Sequence, residues 1–235
     1  NLTTDLFSLH YNSKNQSMLP SIFNTVFITF LTLLIAVPIG IFSAVYLVEY
    51  AKKGSKLVKV IRVTTETLAG IPSIVFGLFG FLAFVIALGW GYSMIAGVLT
   101  LVMMVLPTII RTTEEALLAV PNSYREGSFG LGAGKIRTIF KIIVPTAIPG
   151  ILSGVILAIG RIVGETAALI YTSGTVAETA TSLTDSARTL SVHLYCLLSE
   201  GLFTNQAYAT AVILLLLVVG INALSNFIAK KLAKK

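Results

Sequence analysis

Cysteine and histidine are nearly absent from these 235 residues: there is one Cys, Cys196, and two His, His10 and His193. A disulfide framework is thereby excluded, and a metal cluster loses its usual ligands. Charge is scarce as well. Lys, Arg, Asp and Glu make up 11% of the chain, against roughly 25% in a soluble globular domain. The chain does not open with a basic stretch followed by a short apolar core, so it carries no signal-peptide pattern. Residues 1–19 read as a polar, irregular segment, beginning with Asn rather than Met. Asn1 and Asn15 each start a glycosylation-type triplet, a pattern common by chance.

What is present is apolar surface. Hydrophobic residues reach 55% and the mean hydropathy is +0.90. Crossing a bilayer takes about 20 largely apolar residues, and such runs recur at 21–48, 68–88, 93–110, 146–172 and 207–228. The expected fold class is therefore all-α, a polytopic helical membrane protein with five spans. Gly89-Trp90-Gly91-Tyr92 reads as a tight turn at headgroup level, where amphipathic rings sit well.

The net charge of +7 is distributed by topology. Fourteen Lys/Arg fall between the first two spans, between the third and fourth, or in the C-terminal tail, at 52, 53, 56, 59, 62, 111, 125, 135, 137, 141, 230, 231, 234 and 235. The opposite side holds two, Lys14 and Arg188. The positive-inside rule puts the fourteen in the cytoplasm, with the N-terminus outside and the C-terminus inside. That asymmetry removes the case for nucleic-acid binding.

The segment 111–145 is the polar exception. Thr112 and Glu115, then Ser123 and Glu126, have capping-box spacing and predict two short helices, separated by Pro121. Gly130, Gly132 and Gly134 are expected to end the second helix, because glycine accepts the left-handed exit conformation. From Lys135 to Ile143 the helical period resumes, with Ile136, Ile139, Phe140 and Ile143 on one face, and Pro145 and Pro149 mark entry into a span. Gly-Leu-Gly-Ala-Gly-Lys is not a phosphate-cradling loop: the first Walker glycine would fall on Phe129, and Ile136 stands where Ser or Thr is required.

Glu126-Gly127-Ser128, Gly132 four residues on, and Ile142 before Val144-Pro145 resemble the E-A-A…G…I-x-L-P signature of ABC-importer permease subunits. Gly127, Ser128 and Val144 depart from it but remain small or apolar. The resemblance covers all five expected spans and implies a type I importer permease fold. It implies that Glu126, Gly127, Ser128, Gly132 and Pro145 belong to a coupling helix, about 123–134, that docks on a cytoplasmic ATPase subunit. Such permeases usually have six spans, so this chain is expected to begin after a missing first helix, leaving 20–235 as the transmembrane domain.

The span 146–172 carries Arg161 and Glu165. On one helix, Gly150, Gly154, Arg161 and Glu165 would form a single stripe facing the bundle, and Gly160 with Gly164 would make a second close-packing pair. A charge at mid-bilayer costs roughly 2.5–3.5 kcal/mol on insertion scales, so an intramembrane charge pair marks a candidate site. The bland alternative is mutual neutralisation at i and i+4. The functional one is an oxyanion path, since a guanidinium's fork of donors suits an oxyanion.

The run Arg161-Ile-Val-Gly-Glu165-Thr166-Ala-Ala-Leu-Ile-Tyr171, with Arg111-Thr-Thr-Glu-Glu115 ahead of the coupling helix, resembles the A-type permease subunit of prokaryotic phosphate importers. That resemblance implies a path lined by Arg161, Glu165 and Thr166. It also implies a non-catalytic subunit without cofactor, paired with a homologous permease, two ATP-binding subunits and an external phosphate-binding protein. Sulfate and molybdate permeases, and the C-type phosphate permease, are the nearest alternatives. An ion-coupled carrier would show inverted repeats, which are missing. An intramembrane enzyme would need partners for His193 and Cys196 that the sequence does not supply.

Overall fold

A computed structural model describes residues 4–8, 11, 16–52 and 54–233. His10, Lys14, Lys53, Lys234, Lys235, Asn1 and Asn15 lie outside the described residues. Beyond a short 3₁₀ turn at Thr4–Phe7, the regular structure is helical: α1 Leu19–Val45, α2 Lys56–Ala69, α3 Ser73–Gly80, α4 Met94–Leu118, α5 Asn122–Gly130, α6 Lys135–Thr138, α7 Val144–Val163, α8 Ala167–Thr172, α9 Leu190–Glu200 and α10 Thr204–Ala233. Three π-helical stretches extend α1 over Tyr46–Tyr50, extend α3 over Phe81–Ala87, and join α6 to α7 over Ile139–Ile143.

Four helical runs among the described residues are long and apolar enough to cross a membrane: Leu19–Tyr50, Met94–Leu118, Lys135–Val163 and Thr204–Phe227. The run expected at 68–88 is interrupted. Gly70 and Pro72 separate α2 from α3, because proline offers no N–H and disfavours helix in the residue before it. α2 and α3 make a further candidate span only as a broken pair.

The chain forms two compact units. One comprises Asn1–Leu34, Ile71–Met104 and Ile159–Asn222; the other Ile35–Gly70, Val105–Ala158 and Ala223–Lys235. In the first unit, α8 is gripped by glycines of α3 and α4. A Cβ at Gly77 would come 2.7 Å from Ala168 Cα, and one at Gly97 would lie 2.9 Å from Ser173 Cβ. Gly89 and Gly91 turn the chain with φ of +69° and +66°, and Trp90 stacks on Phe84 at 5.8 Å.

The expected polar loop 173–206 of that unit is ordered and contains α9. Asn24 of α1, 1% exposed, donates to the carbonyls of Glu178 and Arg188 and accepts from Ala180 N–H. The loop carbonyls of Asp185 and Leu183 take the N–H groups of Met94 and Ile95, two of the donors a helix start leaves free. Thr25 Oγ1 accepts from Leu190 N–H at the start of α9.

In the second unit, Ala44, Val45, Leu117, Val120, Ile139, Ile143, Ala147 and Ile151 form one core, and Leu47, Val58 and Ile110 a smaller one. Close approach here rests on Gly150 and Gly154: a Cβ at Gly150 would stand 2.6 Å from Ala116 Cβ, and one at Gly154 would collide with Thr112. The expectation that Thr112 caps a new helix is corrected. α4 runs through it to Leu118, and Thr112 Oγ1 donates back to Thr108 O. The helix continues through Pro107 to Leu118, so a hydroxyl with cap spacing stays in mid-helix.

Candidate functional site

Two places collect the residues singled out in the sequence, one in each unit. The first surrounds α5. Pro121, with ψ of 141°, separates α4 from α5, and the helix starts at Asn122 without a side-chain cap, so Ser123 and Glu126 do not form the expected capping box. Its end matches the expectation at one glycine of the three. Gly132 has φ of +83°, its N–H bonds Phe129 O, and Ala133 N–H bonds Ser128 O. This 5→2 and 6→1 pair is a Schellman exit. Gly134 has an ordinary φ of −71° and precedes α6.

Glu126 and Gly127 face outward, and a Cβ at Gly127 would meet nothing within 4 Å. Ser128 is the buried residue of α5, and its hydroxyl lies 2.8 Å from that of Thr138 on α6. Around them Tyr124, Phe129, Leu131 (91% exposed), Ile136 and Phe140 present apolar side chains to the outside. Lys135, Arg137 and Lys141 stand among them, and Lys135 Nζ lies 4.8 Å over the Tyr50 ring. Such an apolar surface with basic residues between is suited to docking.

Sequence reasoning missed Arg125. Its guanidinium donates to Glu49 Oε1 at 3.0 and 2.7 Å, to the carbonyls of Val120 and Leu117 at 2.9 and 3.1 Å, and to Asn122 Oδ1 at 3.3 Å. Nothing local in the sequence announces Glu49, 76 residues earlier, as its partner. Pro145, exposed, falls in the first turn of α7. Just before it the ladder shifts, with Val144 N–H on Ile139 O, so the span begins at Lys135 rather than at the proline.

The second place is the end of α7 in the other unit. Arg161 sits in the last turn of α7, half-buried, with no ion-pair or hydrogen-bond partner among the described residues. Glu165 is not on that helix. α7 ends at Val163, Gly164 is exposed, and Glu165 N–H bonds Ile162 O in a tightened exit. Gly150, Gly154 and Arg161 therefore share α7, while Glu165 lies beyond its end and leaves the expected stripe, and the two charges do not pair. Glu165, 8% exposed, accepts Ala168 N–H at 3.0 Å on Oε1, which satisfies a free donor at the start of α8. Its carbonyl accepts from Ser191 of α9. Thr166, half-buried, is the N-cap residue of α8. Gly160 does not pack as expected: a Cβ there would meet nothing within 4 Å.

No group of three His, Cys, Asp or Glu is placed to hold a metal among the described residues. His193 is buried against Arg188 Nη1 at 3.3 Å and the Tyr11 ring at 6.4 Å. Burial pushes its imidazole down to about 4; the Arg188 cation acts the same way and a Gln16 backbone hydrogen bond opposes them. Cys196 is a free thiol pushed up by burial.

With its apolar helices and the short exposed helix α5 between two of them, this chain has the type I ABC importer permease fold. It superposes on the inward-facing MetNI methionine ABC transporter with a TM-score of 0.68 at 20% identity, covering 91% of this chain and 93% of that one. The chain belongs to the family of binding-protein-dependent transport system inner membrane components, which matches residues 36–235. Among relatives, the probable ABC transporter permease protein YqgI of Bacillus subtilis (strain 168) is 35% identical over 230 residues, 91% of this chain and 78% of that protein. Phosphate transport system permease protein PstA 1 of Mycobacterium tuberculosis (strain CDC 1551 / Oshkosh) is 45% identical over 140 residues, 60% of this chain and 45% of that protein. The chain thus spans less than half the length of that second relative.

Proposed function

We propose that this chain carries inorganic phosphate as a permease subunit of an ATP-driven importer in a prokaryotic plasma membrane, without catalytic activity of its own. The observation that carries the reading is Arg161: a guanidinium on a span, half-buried, with no ion-pair or hydrogen-bond partner among the described residues. A cation held in a span without a counter-charge is unfavourable, a cost offset when an anion arrives. Glu165 does not pair with it: the glutamate lies beyond the end of α7 and its Oε1 accepts Ala168 N–H at the start of α8. The methionine transporter shares this fold, so the fold does not choose the cargo. The relative named a phosphate transport system permease supports phosphate.

The partners follow from the same reading. An external phosphate-binding protein delivers the anion, a homologous second permease completes the path, and two ATP-binding subunits drive it. The ATPase seats on Tyr124, Phe129, Leu131 and Ile136 around Glu126, Gly127 and Ser128, with Gly132 fixing the exit of α5. α6 and α7 run helically from Lys135 through Pro145 to Arg161, so displacement of the docked end is carried along one element. Arg161, Glu165 and Thr166 line the anion's route, and the C-terminus lies in the cytoplasm.

The test is ATP-dependent phosphate uptake by the whole complex in vesicles, native against Arg161→Ala, with sulfate and molybdate as competitors. Assembly is checked by co-purification of the ATPase. Intact assembly with uptake reduced about a hundredfold, the loss of roughly 2.7 kcal/mol of stabilisation, is expected. Undiminished uptake overturns the role of Arg161. Transport of sulfate or molybdate in place of phosphate overturns the substrate.

A further inference from the structure

α5 is held in its unit almost without apolar burial. Of its nine residues Ser128 is buried, by a hydroxyl pair with Thr138. The remaining hold is Arg125, whose five hydrogen bonds reach four residues: Glu49 in the π turn that continues α1, the carbonyls of Leu117 in the last turn of α4 and of Val120 just past it, and Asn122 of α5 itself. Both partners of the ion pair are largely removed from water, with side-chain exposures of 16% for Arg125 and 10% for Glu49. A cation over a helix C-terminus answers both the free carbonyls and the helix dipole there. Arg125 precedes Glu126 directly, so the most tightly bound side chain of α5 adjoins an exposed one.

We propose that the Arg125–Glu49 pair is the tie through which displacement of α5 is passed to α1 and α4, and that these two residues position the transport cycle without contributing to ATPase binding. The proposal rests on the reading of α5 as the ATPase-docking helix. An apolar contact would let α5 slide, whereas a half-buried ion pair with a fixed fork of donors resists both shear and rotation. Lysine does not replace it, since its three donors on one nitrogen cannot make the five hydrogen bonds that the Arg125 fork makes.

The experiment uses the reconstituted complex with its ATPase and phosphate-binding protein in liposomes. It records ATPase co-purification, ATP hydrolysis and phosphate uptake for native, Arg125→Lys and Glu49→Gln. Glu49→Gln keeps the side chain's size, so it answers the question even where Arg125→Lys accumulates poorly. Expected are native co-purification, hydrolysis within about twofold of native, and phosphate carried per ATP reduced about tenfold in both, the scale of an ordinary coupling energy. The double variant should lose no more than either single one. An unchanged ratio of uptake to hydrolysis overturns the tie. Loss of the ATPase from either variant overturns it too, by making the pair a docking element. Leu131→Asp separates the underlying reading: it should release the ATPase, and an ATPase that stays bound sinks the docking role of α5 whatever the pair does.

Discussion

Charged and titratable side chains in this protein are spent on one another or left free in a telling way. Arg125 is saturated by Glu49, 76 residues away, together with Leu117, Val120 and Asn122 close by, while Arg161 has no partner among the described residues. His193 makes a separate, testable point. Its imidazole is held at about 4 in the folded protein, below its ordinary 6.5, chiefly by burial. The unfolded chain therefore binds the proton first. Stability is full above about pH 6.5 and falls as pH drops from there towards 4, by up to about 1.4 kcal/mol per pH unit within that window. Thermal unfolding of the purified protein in detergent should show this acid slope, and His193→Gln should flatten it. An unchanged slope in the variant would remove His193 as its source.

At the scale of elements, the long apolar helices were legible and their interruptions were not. Runs of hydrophobic residues mark spans whatever surrounds them, and 21–48, 93–110 and 207–228 fall on α1, α4 and α10. Local spacing misled where tertiary packing decides. Thr112 has cap spacing yet lies in mid-helix against Gly154. Glu165 has helical spacing from Arg161 yet follows a break, where the start of α8 and Ser191 claim its oxygens. Of three glycines expected to end α5, Gly132 alone has left-handed φ. Gly132→Ala should then destabilise by about 1 kcal/mol and weaken ATPase co-purification, while Gly134→Ala, at φ −71°, should do neither. Equal melting temperatures for the two variants would contradict the Schellman exit.

For the whole molecule, charge asymmetry makes the sharpest prediction. With Cys196 replaced by Ser, a cysteine placed by Lys59→Cys should react with a membrane-impermeant maleimide from the cytoplasmic side of sealed vesicles, and Thr181→Cys from the other. Both positions are exposed, so access is decided by sidedness. Labelling of both from one side would overturn the topology. Composition and hydropathy by themselves determined that this is an all-α membrane protein, because a chain with so little charge and such long apolar runs has no stable alternative in water. The pattern Glu126-Gly127-Ser128, Gly132, Ile142 and Val144-Pro145 was enough to point to the outward helix and its family. Only the tertiary structure decided that Arg125 reaches Glu49, that Arg161 and Glu165 stand apart, and that Asn24 fastens the loop before α9. The first and last rest on hydrogen bonds between distant segments and the second on the end of α7 at Val163; sequence spacing carries information about neighbours along an unbroken helix but none about partners brought together by packing.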